Sequence, residues 1–170
     1  MDLNAHIRDI PDFPKPGIVF KDITPLLGDA AAFDASIVEL AKPYREARLD
    51  AVVGIESRGF IFGAAVAREL GVGFVPIRKP GKLPADTISV SYSLEYGEDT
   101  VEIHTDALKS GQRVLLLDDV LATGGTMVAS CELIAKTGAE VAGIAFLVEL
   151  GFLNGREKLD GFEIFSLLTY

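Results

Sequence analysis

Two adjacent carboxylates, Asp118 and Asp119, stand two residues ahead of a cluster of small residues, Ala122-Thr123-Gly124-Gly125-Thr126. Glycines let backbone N–H groups converge, threonines supply hydroxyl donors, and a following helix adds the positive end of its dipole. Such a turn suits a phosphate. Acids beside an anion site repel it unless they serve another part of the ligand. Ribose hydroxyls, or a divalent metal held through water, would use such a pair. Positive groups gather at two other places: Arg58 in ESRGF, and Arg78, Lys79 and Lys82 in RKPGK. Either group alone reads equally well as solvated surface, and a plain glycine-rich turn is the bland reading of the small-residue cluster. No GxxxxGK[ST] or GxGxxG occurs, which removes the P-loop and dinucleotide-binding readings.

The elements that must carry these residues follow a β-α rhythm. Residues 114–117 form an aliphatic run with the composition of a strand buried on both faces. Residues 126–137 read as a helix stopped at Gly138, with Val128, Leu133 and Ile134 on one side. Residues 50–55 (DAVVGI) repeat the unit as a strand that runs through ESRGF, with Arg58 at a helix N-terminus, into a helix stopped by Gly71. Residues 72–77 predict a third strand, which ends in the basic cluster. In open α/β sheets ligands gather at that carboxyl edge. Strands at 141–148 and 162–168, joined by a polar connection at 154–159, complete the pattern. Residues 30–48 carry Phe33, Ile37, Leu40, Ala41 and Tyr44 at helical spacing, broken near Pro43. The fold class is therefore α/β, a mainly parallel central sheet flanked by helices.

Two stretches depart from the rhythm. Residues 84–105 alternate polar and apolar side chains and predict two strands joined near Gly97-Glu98, a hairpin arm lying off the main sheet. Its Ser and Thr content argues against burial; it reads as a mobile lid, or as an edge hairpin or dimer contact. Near the N-terminus, residues 2–9 predict a short helix ended by Pro11. DFPKPGIVFKDITPLL then carries Pro11, Pro14, Pro16 and Pro25, which argue against a helix. Phe13, Ile18, Val19, Phe20, Ile23, Leu26 and Leu27 there call for burial, so this is an ordered, extended segment. Phe20 reads as core on composition; the alternative is that it covers a flat heterocycle.

The chain has 170 residues, of which 49% are hydrophobic and 24% charged, which suits one domain over 1–170 with a substantial core. Its net charge of −9 argues against nucleic-acid or anionic-membrane binding. The single cysteine, Cys131, cannot close an intramolecular disulfide and reads as a small core residue. The polar N-terminus and the lack of an apolar run near ~20 residues predict a cytoplasmic protein with no membrane span.

With these pieces placed, the sequence resembles the adenine members of the type I phosphoribosyltransferase family along nearly its whole length. The matching stretches are DFPKPGIVFKDITPLL, ESRGFIFG, IRKPGKLP, SYSLEYG, VLLLDDVLATGGT and LVEL. The resemblance implies transfer of a 5-phosphoribosyl group from phosphoribosyl pyrophosphate (PRPP) to adenine, giving AMP and pyrophosphate, with Mg²⁺ required. It implies that Ala122, Thr123, Gly124, Gly125 and Thr126 grip the 5′-phosphate while Asp118 and Asp119 face the ribose hydroxyls. Arg58, Arg78, Lys79 and Lys82 would hold pyrophosphate, beside a cis Glu56-Ser57 peptide. A hood (about residues 11–27) would cover adenine with Val19, Phe20 and Lys21, opposite Leu150. Glu95, in the arm (about residues 80–105), would be the acid or base near the purine. Mg²⁺ would ride on the substrate's phosphates, with no protein ligand of its own beyond a water-mediated contact to Asp118. The family also implies a homodimer. The rivals are transfer to hypoxanthine, guanine or xanthine, and a non-catalytic PRPP-binding regulator. The hood and SYSLEYG favour adenine over the first; Glu95 with the arm's basic residues favours an enzyme over the second.

Overall fold

In the computed structural model, which describes every residue except Glu95, the chain opens with a 3₁₀ turn at Leu3–His6, followed by β1 (Arg8–Pro11) and β2 (Val19–Asp22). The expected helix over 2–9 is thus a single turn. Beyond it the backbone pairs antiparallel with β2, Arg8 opposite Asp22 and Pro11 opposite Val19. Pro11 sits at the end of its strand, where a missing N–H costs little. The prolines also do not exclude a helix from the whole segment. The short helix α1 (Thr24–Gly28) holds Pro25 in its first turn, where no intrahelical donor is needed. Burial divides the segment: Ile23 and Leu26 are fully buried, whereas Phe13, Ile18 and Val19 stay exposed on the β1–β2 ribbon.

Helix α2 (Ala30–Ala41) is capped by Asp29, whose carboxylate accepts from Ala32 N at 2.9 Å. The break expected at Pro43 is a 3₁₀ turn, Lys42–Tyr44. Next come β3 (Ala51–Ile55), α3 (Gly59–Leu70), β4 (Gly73–Ile77), β5 (Thr87–Ser93), β6 (Glu98–His104), β7 (Arg113–Leu121), α4 (Gly125–Thr137), β8 (Glu140–Glu149) and β9 (Ile164–Thr169). The main sheet is parallel, in the order β4-β3-β7-β8-β9. The strand order reverses direction between β3 and β7, which places a topological switch point at their carboxyl ends.

The pleat of β7 sorts the core into two layers. Val114 and Leu116 face a layer built with Leu133 and Ile134 of α4. Leu115 and Leu117 face the layer of Leu40 and Ala41 from α2 and Phe62 and Val66 from α3. The strand runs on through both acids: Asp118 pairs with Phe146 and Val120 with Val148, so the expected stop after Leu117 moves to Leu121. The buried face of α4 comprises Met127, Ala129, Ser130, Cys131, Leu133 and Ile134. Val128, expected on that face, is exposed.

The arm forms a sheet of its own, β5 against β6. It is not a free polar flap. Val90, Val101 and Ile103 are buried with α4 residues in one core layer, and Ile88 packs against that layer. The Ser and Thr residues occupy the opposite, outward half of the alternation. Exposure rises at the tip, where Tyr96 is 85% accessible. No helix among the described residues is long and apolar enough to cross a membrane.

Candidate active site

The carboxyl ends of β3 and β7 lie side by side, and each turns directly into a helix. After β7 the chain makes a bend in which Gly124 adopts φ +84°, a left-handed conformation that favours glycine, and α4 begins at Gly125. A small cavity of about 80 Å³ lies at this point, lined by Asp118, Val120 to Met127 and Phe146. All five residues of the expected phosphate grip border it. Behind the loop, Gly155 packs hard against it. A β-carbon on Gly155 would lie 2.2 Å from Ala122 O, and one on Gly124 would lie 2.7 Å from Gly155 O. The two backbones approach more closely than any side chain would permit.

On the other side of β7 a second cavity, about 300 Å³, is lined by Ile18, Val19, Phe20, Lys21, Arg58, Asp119, Val120, Ala122 and Leu150. It contains the four residues expected to sandwich a flat base, Val19, Phe20, Lys21 and Leu150. Asp118 therefore borders the cradle and Asp119 borders the slot, as successive residues of a pleated strand should. Asp119 N donates to Asp118 Oδ1 at 2.9 Å. Gly59, the first residue of α3, leaves room for that carboxyl, since a β-carbon there would sit 2.7 Å from Asp118 Oδ1. Burial, then the adjacent Asp119 charge, pushes the Asp118 carboxyl well above the usual carboxylate range, although the residue keeps part of its surface exposed. Arg58 Nε lies 2.7 Å from Asp119 Oδ2. Its N–H does not point at that oxygen, which has no hydrogen-bond partner among the described residues. The Arg58 guanidinium also lies 5.2 Å from the centre of the Phe20 ring.

The basic cluster is neutralised by carboxylates. Glu56, at the end of β3, accepts from Arg78 Nε at 3.1 Å, Arg78 Nη2 at 3.0 Å, Lys79 N at 2.7 Å and Lys82 Nζ at 3.2 Å. Burial acts to raise the Glu56 carboxyl, but these donors outweigh it and hold it below its ordinary range. The Glu56-Ser57 peptide is cis. Lys79 Nζ contacts Asp99 Oδ2 on β6 and lies 3.4 Å from the Tyr92 hydroxyl on β5.

The sequence reading passed over Tyr92, Asp99 and Gly155. Tyr92 stands inside the quoted SYSLEYG stretch, and its hydroxyl is 2.9 Å from Thr126 Oγ1 in the cradle. The signal for Asp99 is its register, directly opposite Tyr92 in the hairpin. Glu95, expected near the purine, lies outside the described residues. Cys131 is buried, its thiol pushed up to about 12 by that burial, and takes no part in the site. A larger cleft of about 640 Å³, lined by Glu149, Gly151, Asn154, Arg156, Glu157 and Asp160, is predominantly acidic and unsuited to a polyphosphate.

An anion cradle and an apolar slot on either side of two acids, at the switch point of a parallel sheet, define a domain that binds a sugar phosphate beside a flat partner. The phosphoribosyl transferase domain family matches residues 27–161. The adenine phosphoribosyltransferase of Desulfitobacterium hafniense is 57% identical over 170 residues, covering 100% of this chain and 98% of the relative. Among solved structures, adenine phosphoribosyltransferase from Thermoanaerobacter pseudethanolicus superposes with a TM-score of 0.96 at 57% identity, covering 99% of this chain and 98% of that one. The Saccharomyces cerevisiae enzyme, solved with D-2,5-dideoxy-2,5-imino-altritol 1,6-bisphosphate and adenine, gives 0.93 at 40% identity, covering 98% and 97%. The chain belongs to the adenine phosphoribosyltransferase family.

Proposed function

We propose that the protein, acting as one catalytic unit over residues 1–170, transfers the 5-phosphoribosyl group of PRPP to adenine and releases AMP and pyrophosphate. The observation that carries the reading is the back-to-back placement of Asp118 and Asp119 on the central strand, one bordering the anion cradle and the other the apolar slot. A sugar joined to a phosphate at one end and to a flat base at the other must span these two cavities. That path passes the two acids. The solved yeast relative, which holds adenine and a bisphosphate together, supports the same reading.

In this mechanism Ala122 to Thr126 bind the 5′-phosphate through backbone N–H groups and hydroxyls at the start of α4. Asp118 and Asp119 accept from the ribose hydroxyls; at Asp118 this favours the ionised form and offsets the burial that raises it. As pyrophosphate leaves, the anomeric carbon gains oxocarbenium character, and the field of the two acids stabilises it. Arg58, Arg78, Lys79 and Lys82, with the backbone at Glu56 and Ser57, hold the departing pyrophosphate. Val19, Phe20 and Lys21 cover one face of adenine and Leu150 the other. Glu95 hydrogen-bonds the purine and handles its proton.

Mg²⁺ fits this site as a companion of the substrate. No group of three or more His, Cys, Asp or Glu that could hold a metal occurs among the described residues. The buried Asp119 Oδ2 has no hydrogen-bond donor among the described residues, with Arg58 Nε 2.7 Å away, and Asp118 borders the cradle. A cation that takes its other ligands from phosphates and water suits such acceptors. When bound it supplies charge neutralisation on the diphosphate. The protein acts as a cytoplasmic homodimer.

The test is AMP formation from adenine, PRPP and Mg²⁺, with hypoxanthine, guanine and xanthine in parallel. Product with adenine alone supports the reading. Product from a 6-oxo purine in place of adenine overturns the assignment of the slot, and binding of PRPP without product moves the protein to the regulator class.

A further inference from the structure

Lys21 lines a slot otherwise suited to a neutral, flat ring, yet its side chain ends in a full positive charge. That charge has two partners, and neither lines the slot. The Lys21 ammonium lies 2.6 Å from Asp9 Oδ1 and 3.8 Å from the centre of the Tyr170 ring, and the side chain is only 13% exposed. An ammonium over an aromatic face is attracted by the ring's quadrupole. Asp9 stands opposite Lys21 in the β1–β2 ladder and so belongs to the same ribbon. Tyr170 does not: it directly follows β9, the last strand of the main sheet.

The opposite wall of the slot meets the same residue. Leu150 lines the slot just beyond the end of β8. Both of its chain neighbours bond to the Tyr170 backbone: Tyr170 N donates to Glu149 O and Gly151 N donates to Tyr170 O, each at 2.9 Å. The backbone of Tyr170 therefore braces the Leu150 wall, and its ring holds the Lys21 wall. Only the second task depends on the type of side chain. The Tyr170 hydroxyl serves neither, since it is buried with no hydrogen-bond partner among the described residues.

We propose, resting on the phosphoribosyl-transfer reading of the slot, that Tyr170 is a positioning residue for the base. Its ring keeps the Lys21 ammonium beside Asp9, so that Lys21 stands in place across the slot from Leu150. Without the ring, Lys21 samples other placements, and only the fraction with the wall in place binds a base. A partly desolvated cation–π contact biases such a population by about 5- to 30-fold. The apparent dissociation constant of a base-bearing ligand then rises as the reciprocal of the competent fraction, with that bias as its ceiling. A ligand that occupies the cradle alone does not sense the change.

The experiment is calorimetric titration of AMP and, separately, of ribose 5-phosphate. Both would fill the cradle and only AMP the slot, so the ratio of their dissociation constants isolates the base. Tyr170→Leu keeps the backbone bonds and removes the ring face. It should weaken AMP by about 3- to 10-fold and leave ribose 5-phosphate unchanged. Tyr170→Phe keeps the face and should bind both ligands as the intact protein does. In Lys21→Met, which has no ammonium to hold, adding Tyr170→Leu should cost AMP nothing further. A purely structural role would weaken the two ligands alike, or repeat its full cost in the Lys21→Met background, and either result would overturn the proposal. So would a loss in Tyr170→Phe equal to that in Tyr170→Leu, or an intact protein that binds AMP no more tightly than ribose 5-phosphate. The expected AMP pattern in a protein that forms no AMP from adenine and PRPP would sink the proposed reaction and leave the role of Tyr170 standing.

Discussion

A methyl group placed on Gly155 should disable the proposed phosphate cradle from behind, without replacing any residue assigned to substrate. In Gly155→Ala the new carbon would lie 2.2 Å from Ala122 O and 3.0 Å from Leu121 Cδ1. Ordinary C···O contact is ~3.3 Å or more, so one backbone must retreat by about 1 Å. The Gly155 segment is held: Arg156 donates to Glu149 Oε1 at 3.0 Å, Glu149 Oε2 at 2.6 Å and Ile164 O at 3.2 Å. The yielding partner is then the loop from Ala122 to Gly125. Misplacing a binding group by ~1 Å costs on the order of 100-fold in rate, which is about 2.7 kcal/mol of transition-state stabilisation. Overpacking costs about 1–3 kcal/mol of fold stability, a fall in Tm of about 2–12 °C for a chain of this size. The assay is kcat/KM for PRPP in AMP formation, beside thermal unfolding. Gly71→Ala is the control. Gly71 has φ +71° with nothing within 4 Å of a β-carbon, so it should lose roughly 1 kcal/mol of stability and keep its kcat/KM. Gly155→Ala with unaltered kinetics and Tm would refute the steric argument; a loss matched by Gly71→Ala would show that general destabilisation, and not the cradle, is being measured.

Three further outcomes follow from the geometry. Asp118→Asn should raise Tm at pH 7 while lowering kcat/KM by on the order of 100-fold: a folded-state pKa raised by burial and by Asp119 means that stability is lost as pH rises from the unfolded value through the folded one, and the amide removes that loss. A Tm difference that persists unchanged at pH 3 would contradict this. Arg156→Ala should lower Tm at neutral pH, by about 1–2 kcal/mol of stability after discounting for the half-exposed guanidinium. Because Arg156 holds the Glu149 carboxyl below its ordinary range, that penalty should fade as pH drops through the folded pKa of Glu149; unfolding curves at pH 7 and pH 3 that show the same difference would disprove the pairing. Phe20→Ala should raise the KM for adenine by roughly 5- to 150-fold, the worth of about 1–3 kcal/mol of base stacking, with the KM for PRPP little changed. Equal changes in both would remove Phe20 from the base slot.

What could be read from the sequence was local in the chain. The two βα units, the glycine turn between β7 and α4, the start of α4 near Thr126 and the cation groups all follow from composition and order over a dozen residues or so. The slot could be read only through the resemblance, because Phe20 and Leu150 are far apart in sequence and nothing in their spacing joins them. Tyr92 and Asp99 escaped notice because their meaning arises from hairpin register, which sets them opposite each other, and from the packing of Val90, Val101 and Ile103 on α4. The Ser and Thr content of the arm argued against burial, while its apolar half decides how it packs. Gly155 escaped for a related reason. Its role is a backbone approach to Gly124, and a glycine in a polar connection carries no mark of what will press against it. The prolines near the N-terminus misled in the opposite direction, since Pro25 starts a helix where it was read as excluding one.

The β1–β2 ribbon is a sheet of its own, joined by no ladder among the described residues to the five-stranded sheet. Asp9 and Lys21 pair within it at 2.6 Å, and Lys21 lies 3.8 Å over the Tyr170 ring at the C-terminal end of the chain. Val19, Phe20 and Lys21, proposed to meet the base, therefore sit on a piece whose side chains contribute little to the central core, while the residues proposed to meet the sugar phosphate lie on the central strand β7 and directly after it. Substitutions at Val19 or Phe20 can change which base is accepted at small cost to folding, whereas substitutions at Asp118 or Gly124 disturb the scaffold itself. On the proposed assignment, base choice and donor binding are thus carried by separately built parts of the chain, and one could be altered residue by residue with the other held fixed.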